Sequence, residues 1–388
     1  MCRALRAQGL DLLLATTDDG VSSSEFRVSS SQPKATQHSA LSTQHLFNGV
    51  PTIFFPAQLG ASFKYSRPFA QWLETNVAAY DLVHIHAVFN HACIAAARAC
   101  SRQAVPYIIR PLGTLDPWSM NQKSWRKKVF WYGGVKGLLA SAAAVHYTAK
   151  AEQTATEQSL GLNHGVVVPL GVEFTEKPEP ASRNVLVQKL PALGERSYVL
   201  VLSRLLPTKG LDPLLEGFLS LVKQEDFAEW RLVLAGEGPP EYVAKLKLMV
   251  AAANAFEEVL FPGWLEGKEK EAALDNASLL ALPSHHENFG LCVMEALACG
   301  VPVLVSPQVN LAAEIELAGA GWVVEIEKEA LQAVLASALS SEGERSRRGT
   351  AGRTLARLFD WSAVATKLAD LYSSILKGKA SAAAANVV

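Results

Sequence analysis

Residues 282–306 read LPSHHENFGLCVMEALACGVPVLVS, and their reading decides the fold. Residues 279–282 are apolar and stop at Pro283, which marks the end of a buried strand. Residues 284–290 are polar and close on Gly290, so they form a loop. Residues 291–299 are good helix formers, followed by Gly300 where a helix end takes glycine, and by Pro302. Residues 303–305 then supply the next strand. The loop therefore sits at the carboxyl end of a strand and feeds a helix N-terminus. Free backbone N–H groups and the helix dipole make such a place attractive to anions. Glu287 lies in the loop and Glu295 in the second helical turn, eight residues on and close to two turns away, so both face one crevice. Carboxylates repel phosphate, so they serve another part of the ligand: each accepts hydrogen bonds from neighbouring hydroxyls, as on a ribose or hexose. Alone, Glu287 reads more readily as a solvated loop residue. Glu295 is harder to place at a surface, because its helix is otherwise almost wholly apolar.

Glu287 and Glu295 with seven residues between them, followed by Ala298-Cys-Gly-Val-Pro302, resemble the E-x7-E signature of the retaining glycosyltransferases of family 4. The resemblance implies a GT-B fold: α/β, with two Rossmann-like, doubly wound parallel-sheet domains facing a cleft that holds the donor. It implies that Glu295 holds the ribose of the donor nucleotide and that Glu287 sits near the transferred sugar. It implies further that Asn288, Phe289, Gly290 and Leu291 offer backbone N–H groups to donor sugar and phosphate.

Length and composition agree with two domains. The chain has 388 residues, 49% apolar and 19% charged, enough for two large cores. A formal net charge of −1 gives no support for a nucleic-acid partner. Cys2, Cys93, Cys100, Cys292 and Cys299 form no C-x-x-C and read as small buried hydrophobes in a reducing compartment. No apolar run is long enough to span a bilayer, and residues 1–17 make a poor signal peptide, with Asp11 inside the patch. A cytoplasmic protein is the expectation.

The expected first domain, residues 1–170, alternates helices and apolar strands: strands at 12–16, 51–55, 81–86, 105–110, 142–147 and 166–169, helices at 68–77, 90–101, 124–140 and 150–159. Residues 18–43, rich in serine and glutamine, read as a long surface loop. Pro178, Pro180 and Pro191 make 171–194 the linker. The alternation restarts in the second domain, 195–360, which carries the donor site. Residues 361–376 are the helix that, in the resembled family, crosses back to the first domain, and 377–388 a flexible tail. The sequence opens on what resembles the second half of the family's first helix, so the family's first strand and glycine loop find no counterpart here. This predicts a less stable first domain and poor sugar transfer.

Three further constellations carry chemistry. Arg204 and Lys209 follow the first strand of the second domain, ahead of a helix with Asp212 as its predicted N-cap. A fork donor and a point charge there suit a diphosphate, and they match the family's arginine and lysine. Ala235-Gly-Glu-Gly-Pro239 matches the family's next loop; Gly236 there serves either close ligand approach or ordinary turn geometry. His84 and His86 end the 81–86 strand, on one face of it. H-x-H hints at metal, but no third ligand lies at a telling spacing. The resemblance places His86 beside the donor sugar, and His84 reads as a satisfied core histidine. Arg110 and Asp116 begin a segment that, by resemblance, faces the acceptor. Within 118–136 lie Lys123, Arg126, Lys127 and Lys128 among Trp118, Trp125, Phe130, Trp131 and Tyr132. That is either a membrane-surface element or a solvated helix face.

The expectation is a metal-independent, retaining glycosyltransferase that needs no cofactor. His86 and Glu287 are its catalytic candidates, a UDP- or GDP-linked sugar its donor, and a glycan or lipid-linked molecule its acceptor. Arg204, Lys209 and the helix N-terminus at Leu291 would neutralise the departing diphosphate. The rival is a non-catalytic or weakly active donor-binding relative. A dehydrogenase is disfavoured, since no G-x-G-x-x-G opens a βα turn.

Overall fold

Short apolar runs separated by helix-forming stretches dictate wound α/β architecture. The computed structural model describes residues 1–18, 43–59, 63–122, 124–174 and 183–385, and it divides into two such units. Unit 1 comprises Met1–Pro169 with the residues from Ser362 on, and unit 2 comprises Leu170–Trp361.

Unit 1 runs α1 (Cys2–Ala7), β1 (Leu14–Thr17), β2 (Thr43–Phe47), β3 (Val50–Phe55), α2 (Arg67–Asn76), β4 (Val83–His86), α3 (His91–Arg102), β5 (Tyr107–Arg110), α4 (Pro117–Asn121), α5 (Ser124–Phe130), α6 (Lys136–Ala140), β6 (Ala144–Tyr147), α7 (Lys150–Leu160) and β7 (Gly165–Val167). β4, β5, β6 and β7 form a parallel sheet in that order. A second sheet has the order β1-β3-β2, with β1 parallel and β2 antiparallel to β3. Successive residues of both β1 and β4 line a cavity of about 450 Å³. Side chains alternate across a strand, so this cavity meets the two strand edges and not a face. α2 and α3 start where the sequence provides caps: Ser66 Oγ accepts from the Phe69 N–H (3.3 Å) and Asn90 Oδ1 from the Cys93 N–H (2.9 Å).

β2 is a strand the sequence reading did not expect; it begins at Thr43, the last residue of the expected 18–43 loop, of which 19–42 lie outside the described residues. The expected helix over 124–140 is also broken. α5 and α6 are joined by a π-turn at Trp131–Val135, where Gly134 takes φ 126°. Only glycine adopts that conformation cheaply, so the neighbouring glycines at 133 and 134 interrupt the ladder.

Unit 2 continues with α8 (Arg183–Lys189), β8 (Tyr198–Leu202), α9 (Leu211–Leu221), β9 (Arg231–Ala235), α10 (Pro240–Ala252), β10 (Val259–Gly263), α11 (Gly267–Asp275), β11 (Leu279–Leu282), α12 (Leu291–Ala298), β12 (Val303–Val305), α13 (Ala312–Ala318), β13 (Gly321–Val323), α14 (Lys328–Ser340) and α15 (Glu342–Arg357). α16 (Trp361–Ala385) follows, mostly in unit 1. Six strands run parallel in the order β10-β9-β8-β11-β12-β13. From β8 the chain winds outward to β10, then returns to β11 on the other side. The strand order therefore reverses between β8 and β11, and ligands of open α/β sheets bind outside the carboxyl ends at such a switch point. The central strands are wholly buried: Val199, Leu200, Val201 and Leu279–Leu282 are at 0% exposure, which fixes the loops above them on a rigid base.

Three expectations change, two in unit 2 and one in the last helix. The predicted linker over 171–194 contains α8, whose Leu186, with Leu190 and Leu193 beyond it, is buried in the unit's core. Apolar spacing there outweighed the prolines, of which Pro178 and Pro180 lie outside the described residues. The N-cap of α9 is Gly210 in the left-handed region (φ 65°), not Asp212. Asp212 lies in the first turn, ion-paired with Lys245 (2.6 Å) and accepting from the Tyr242 hydroxyl (2.9 Å). The predicted tail over 377–388 is helical through Ala385, since alanine is the best helix former.

Candidate functional site

The switch point of unit 2 gathers the loops after β8, β9 and β11. Gly210 and Gly236 explain why they close so tightly. A Cβ on Gly210 would overlap the Pro283 carbonyl oxygen, and one on Gly236 (φ 143°) would overlap the Ser203 carbonyl oxygen. Backbone bonds then lock the loops: the His285 N–H donates to Thr208 O (2.9 Å) and the Leu205 N–H to Glu237 O (2.8 Å). The Glu287 loop is tied on its other side, with the Glu287 N–H donating to Gln308 O (3.2 Å) and the Asn310 N–H to Glu287 O (3.1 Å).

On this frame the two signature carboxylates each hold a lysine. Lys209 Nζ lies 2.6 Å from Glu287 Oε2, with the side chains only 12% and 20% exposed. Lys270 Nζ, on α11, lies 2.7 Å from Glu295 Oε1, with the side chains 33% and 28% exposed. Between them sits Cys292, whose thiol burial, reinforced by Glu287 and Glu295, pushes up to about 12, against the pull of Lys209 and Lys270. The thiol is therefore inert, and the site is a set of alternating charges around an apolar plug. Arg204 is exposed, with no ion pair among the described residues. Gly290 caps α12 in the left-handed region (φ 74°), and Leu291, exposed, is its first residue. In the first turn of α12 the Val293 N–H already donates to the Gly290 carbonyl (2.9 Å), which leaves the N–H groups of Leu291 and Cys292 at the helix N-terminus beside Glu287. The Phe289 side chain is core, 3% exposed and 6.0 Å from Phe359 between ring centroids, so only its backbone is available to a ligand. Asn288 is half-buried in the same loop.

In unit 1, His86 and Arg110 are register partners at the carboxyl ends of β4 and β5. Burial, with Arg110 beside it, holds His86 to about 3. His84 belongs to a hydrogen-bond chain that the sequence did not reveal. His146 Nε2 lies 2.7 Å from the Val168 carbonyl, which only accepts, so Nε2 carries the proton and Nδ1 accepts from His84 Nε2 at 3.1 Å. His84 Nδ1 then accepts from the Tyr372 hydroxyl at 2.7 Å, anchoring α16 to the sheet of unit 1. Burial holds His84 well below its usual value and His146 to about 4, so the chain is neutral. Asp116 is the N-cap of α4, its Oδ1 accepting from the Trp118 N–H at 2.9 Å. In the basic aromatic segment Trp125, Val129 and Tyr132 are well exposed (64–82%) and Trp118 is 39% exposed, whereas Trp131 is buried. The Lys127 ammonium donates to Ser119 O (2.6 Å) and Oγ (2.9 Å), so it braces α4 and does not face solvent freely. Lys123 lies outside the described residues.

Comparison with known proteins assigns both units. Residues 182–355 match the family model described as glycosyl transferases group 1, and residues 1–171 the glycosyl transferase 4-like domain. The chain belongs to the group 1 glycosyltransferases. It is 30% identical over 213 residues to a GDP-mannose-dependent α-(1-6)-phosphatidylinositol monomannoside mannosyltransferase of Mycobacterium tuberculosis, a stretch that covers 52% of this chain and 54% of that protein. The matched stretch spans about half the length of the curated relatives, 51% and 54% for two of them. The fold is shared with sucrose-phosphate synthase of Thermosynechococcus elongatus at a TM-score of 0.71, with 20% identity over 97% of this chain and 92% of that one. It is shared too with HepE of Anabaena, solved in complex with UDP and glucose, at a TM-score of 0.69, with 21% identity over 84% and 87% of the two chains. This is the GT-B class of two Rossmann-like units. No helix among the described residues is long and apolar enough to cross a membrane.

Lys270 is the site residue the sequence reading missed. Its one signal was that a charged helix, 267–276, directly precedes the signature strand; nothing in that spacing tells which lysine faces Glu295.

Proposed function

We propose that this glycosyltransferase moves a sugar from a nucleoside-diphosphate sugar to a glycan or lipid-linked acceptor, with retention at the anomeric carbon and without a metal ion. The observation that carries the reading is the paired charge at the switch point: Lys209 with Glu287 and Lys270 with Glu295, beside the N-terminus of α12. A donor entering there exchanges partners with the protein. Its diphosphate takes Lys209, Arg204 and the first N–H groups of α12. Glu287, released, accepts from a sugar hydroxyl, and Glu295, held in place by Lys270, accepts from the ribose hydroxyls. As the bond from the anomeric carbon to the diphosphate oxygen breaks, its electron pair moves onto the diphosphate, and the fixed cations stabilise that charge without reorganising. The acceptor hydroxyl forms the new bond on the same face and gives its proton to the leaving phosphate oxygen. In this reading His86, neutral at the end of β4, is unit 1's candidate for a hydrogen bond to the transferred sugar.

A relative named for GDP-mannose and a structural neighbour holding UDP leave both bases as candidates. The reading is tested by incubating the chain with UDP-glucose and GDP-mannose, with and without a chelator, and measuring nucleoside diphosphate release; turnover survives chelation. Loss of turnover that added metal restores would refute the metal-independent mechanism. The exposed Trp118, Trp125, Val129 and Tyr132 with Lys128 give the protein a peripheral contact with an anionic membrane, the inner face in a cytoplasmic setting. Co-sedimentation with phosphatidylglycerol vesicles, lost in Trp125→Ser with Tyr132→Ser, checks that contact.

A further inference from the structure

Arg110 is 5% exposed, at the carboxyl end of β5 beside His86. Among the described residues its Nε has no hydrogen-bond partner, and its Nη1 lies 3.9 Å from the Met1 thioether. The nearby carboxylate, Glu152, is fully engaged elsewhere. Its Oε1 accepts from the Gly113 N–H (2.8 Å), and its Oε2 from the Thr148 N–H (2.7 Å) and hydroxyl (2.8 Å). The histidines around Arg110 are neutral and cannot compensate it. A guanidinium taken out of water without an anion is costly, and proteins keep buried charges paired or hydrogen-bonded. Burial is felt at the group itself, whose pKa is lowered to about 10. A thioether is a weak acceptor on a flexible side chain, easily displaced by an oxyanion.

We propose that Arg110 anchors a phosphate-binding subsite in unit 1 and that the phosphate belongs to the acceptor. The second half rests on the glycosyltransferase reading, in which Arg204 and Lys209 of unit 2 take the donor diphosphate. The guanidinium presents a planar fork that matches two phosphate oxygens, and Nε supplies a donor that nothing among the described residues uses. The acceptor is therefore an anionic, phosphate-bearing molecule, and a neutral glycan is a poor substrate.

The experiment compares the full-length chain with Arg110→Met in phosphate-free buffer, then titrates inorganic phosphate, UDP and GDP by calorimetry. Removing an unpaired buried charge raises the melting temperature in phosphate-free buffer and weakens phosphate binding roughly tenfold, while UDP and GDP bind as before. Arg110→Gln, which keeps donors without the charge, gives the same comparison if the methionine variant does not fold. A lower melting temperature in phosphate-free buffer, with unchanged phosphate affinity, shows a purely structural arginine and overturns the subsite. A parallel loss of UDP affinity shows that the phosphate is the donor's and overturns the acceptor assignment. Phosphate binding that depends on Arg110 in a chain that binds neither UDP nor GDP leaves the subsite standing and removes the donor reading instead.

Discussion

Lys209→Met is the most informative single perturbation, because in this structure Lys209 is already committed. Its ammonium lies 2.6 Å from Glu287 at 12% side-chain exposure. At an effective dielectric of about 20, opposite charges about 4 Å apart attract by roughly 4 kcal/mol, so a donor diphosphate must replace a strong contact and not merely meet a free cation. The net gain from Lys209 is then that of a hydrogen bond to a charged group, about 1–3 kcal/mol. Since every 1.4 kcal/mol is tenfold, Lys209→Met should weaken UDP or GDP binding by roughly 5- to 150-fold. Glu287→Gln works in the opposite sense: it frees Lys209 from its partner, so nucleoside diphosphate affinity stays or rises while sugar transfer falls. Isothermal titration of both nucleotides into wild type, each variant and the double variant measures the coupling directly. Unchanged affinity in Lys209→Met, or lost affinity in Glu287→Gln, would refute the exchange of partners.

Glu295→Gln should impair binding of nucleotide without sugar, and Lys270→Met should do the same more weakly, since Lys270 only positions the carboxylate; fluorescence titration with UDP and GDP checks the order. Gly236→Ala puts a Cβ onto the Ser203 carbonyl oxygen and should cost about 1–3 kcal/mol of unit 2 stability together with nucleotide affinity, read by denaturant unfolding. Unit 1 should lose stability as pH falls below about 6.5. In the unfolded chain each imidazole takes a proton near that pH, whereas burial holds His146 to about 4 and His86 to about 3, so the unfolded state binds more protons in that window. Each withheld proton costs about 1.4 kcal/mol per pH unit, and calorimetry between pH 7 and pH 4 should show unit 1 melting earlier than unit 2.

Much of this was legible beforehand because it rests on local pattern. A short, wholly apolar run stopped by a proline, as Leu279–Leu282 is by Pro283, reads as a buried strand, and Gly300 with Pro302 marks the end of a helix. The paired glutamates declared themselves through spacing and through the cost of Glu295 in an apolar helix. What escaped depends on partners distant in sequence. Lys270 meets Glu295 only because α11 packs on α12, and the His84, His146 and Tyr372 chain joins residues 62 and 288 positions apart. β2 escaped because its strand character comes from pairing with β3 and not from its own composition. α8 was hidden by prolines whose punctuation the buried Leu186, Leu190 and Leu193 overrode.

The central claim is that the switch point of unit 2 binds a nucleoside-diphosphate sugar and gives up its sugar. It is tested most directly by titrating UDP-glucose and GDP-mannose into the chain and into Glu295→Gln, following release of UDP or GDP in the same samples. The account predicts saturable binding of at least one donor, slow release of its nucleoside diphosphate, and loss of both in Glu295→Gln. Binding and release that Glu295→Gln leaves unchanged would contradict it.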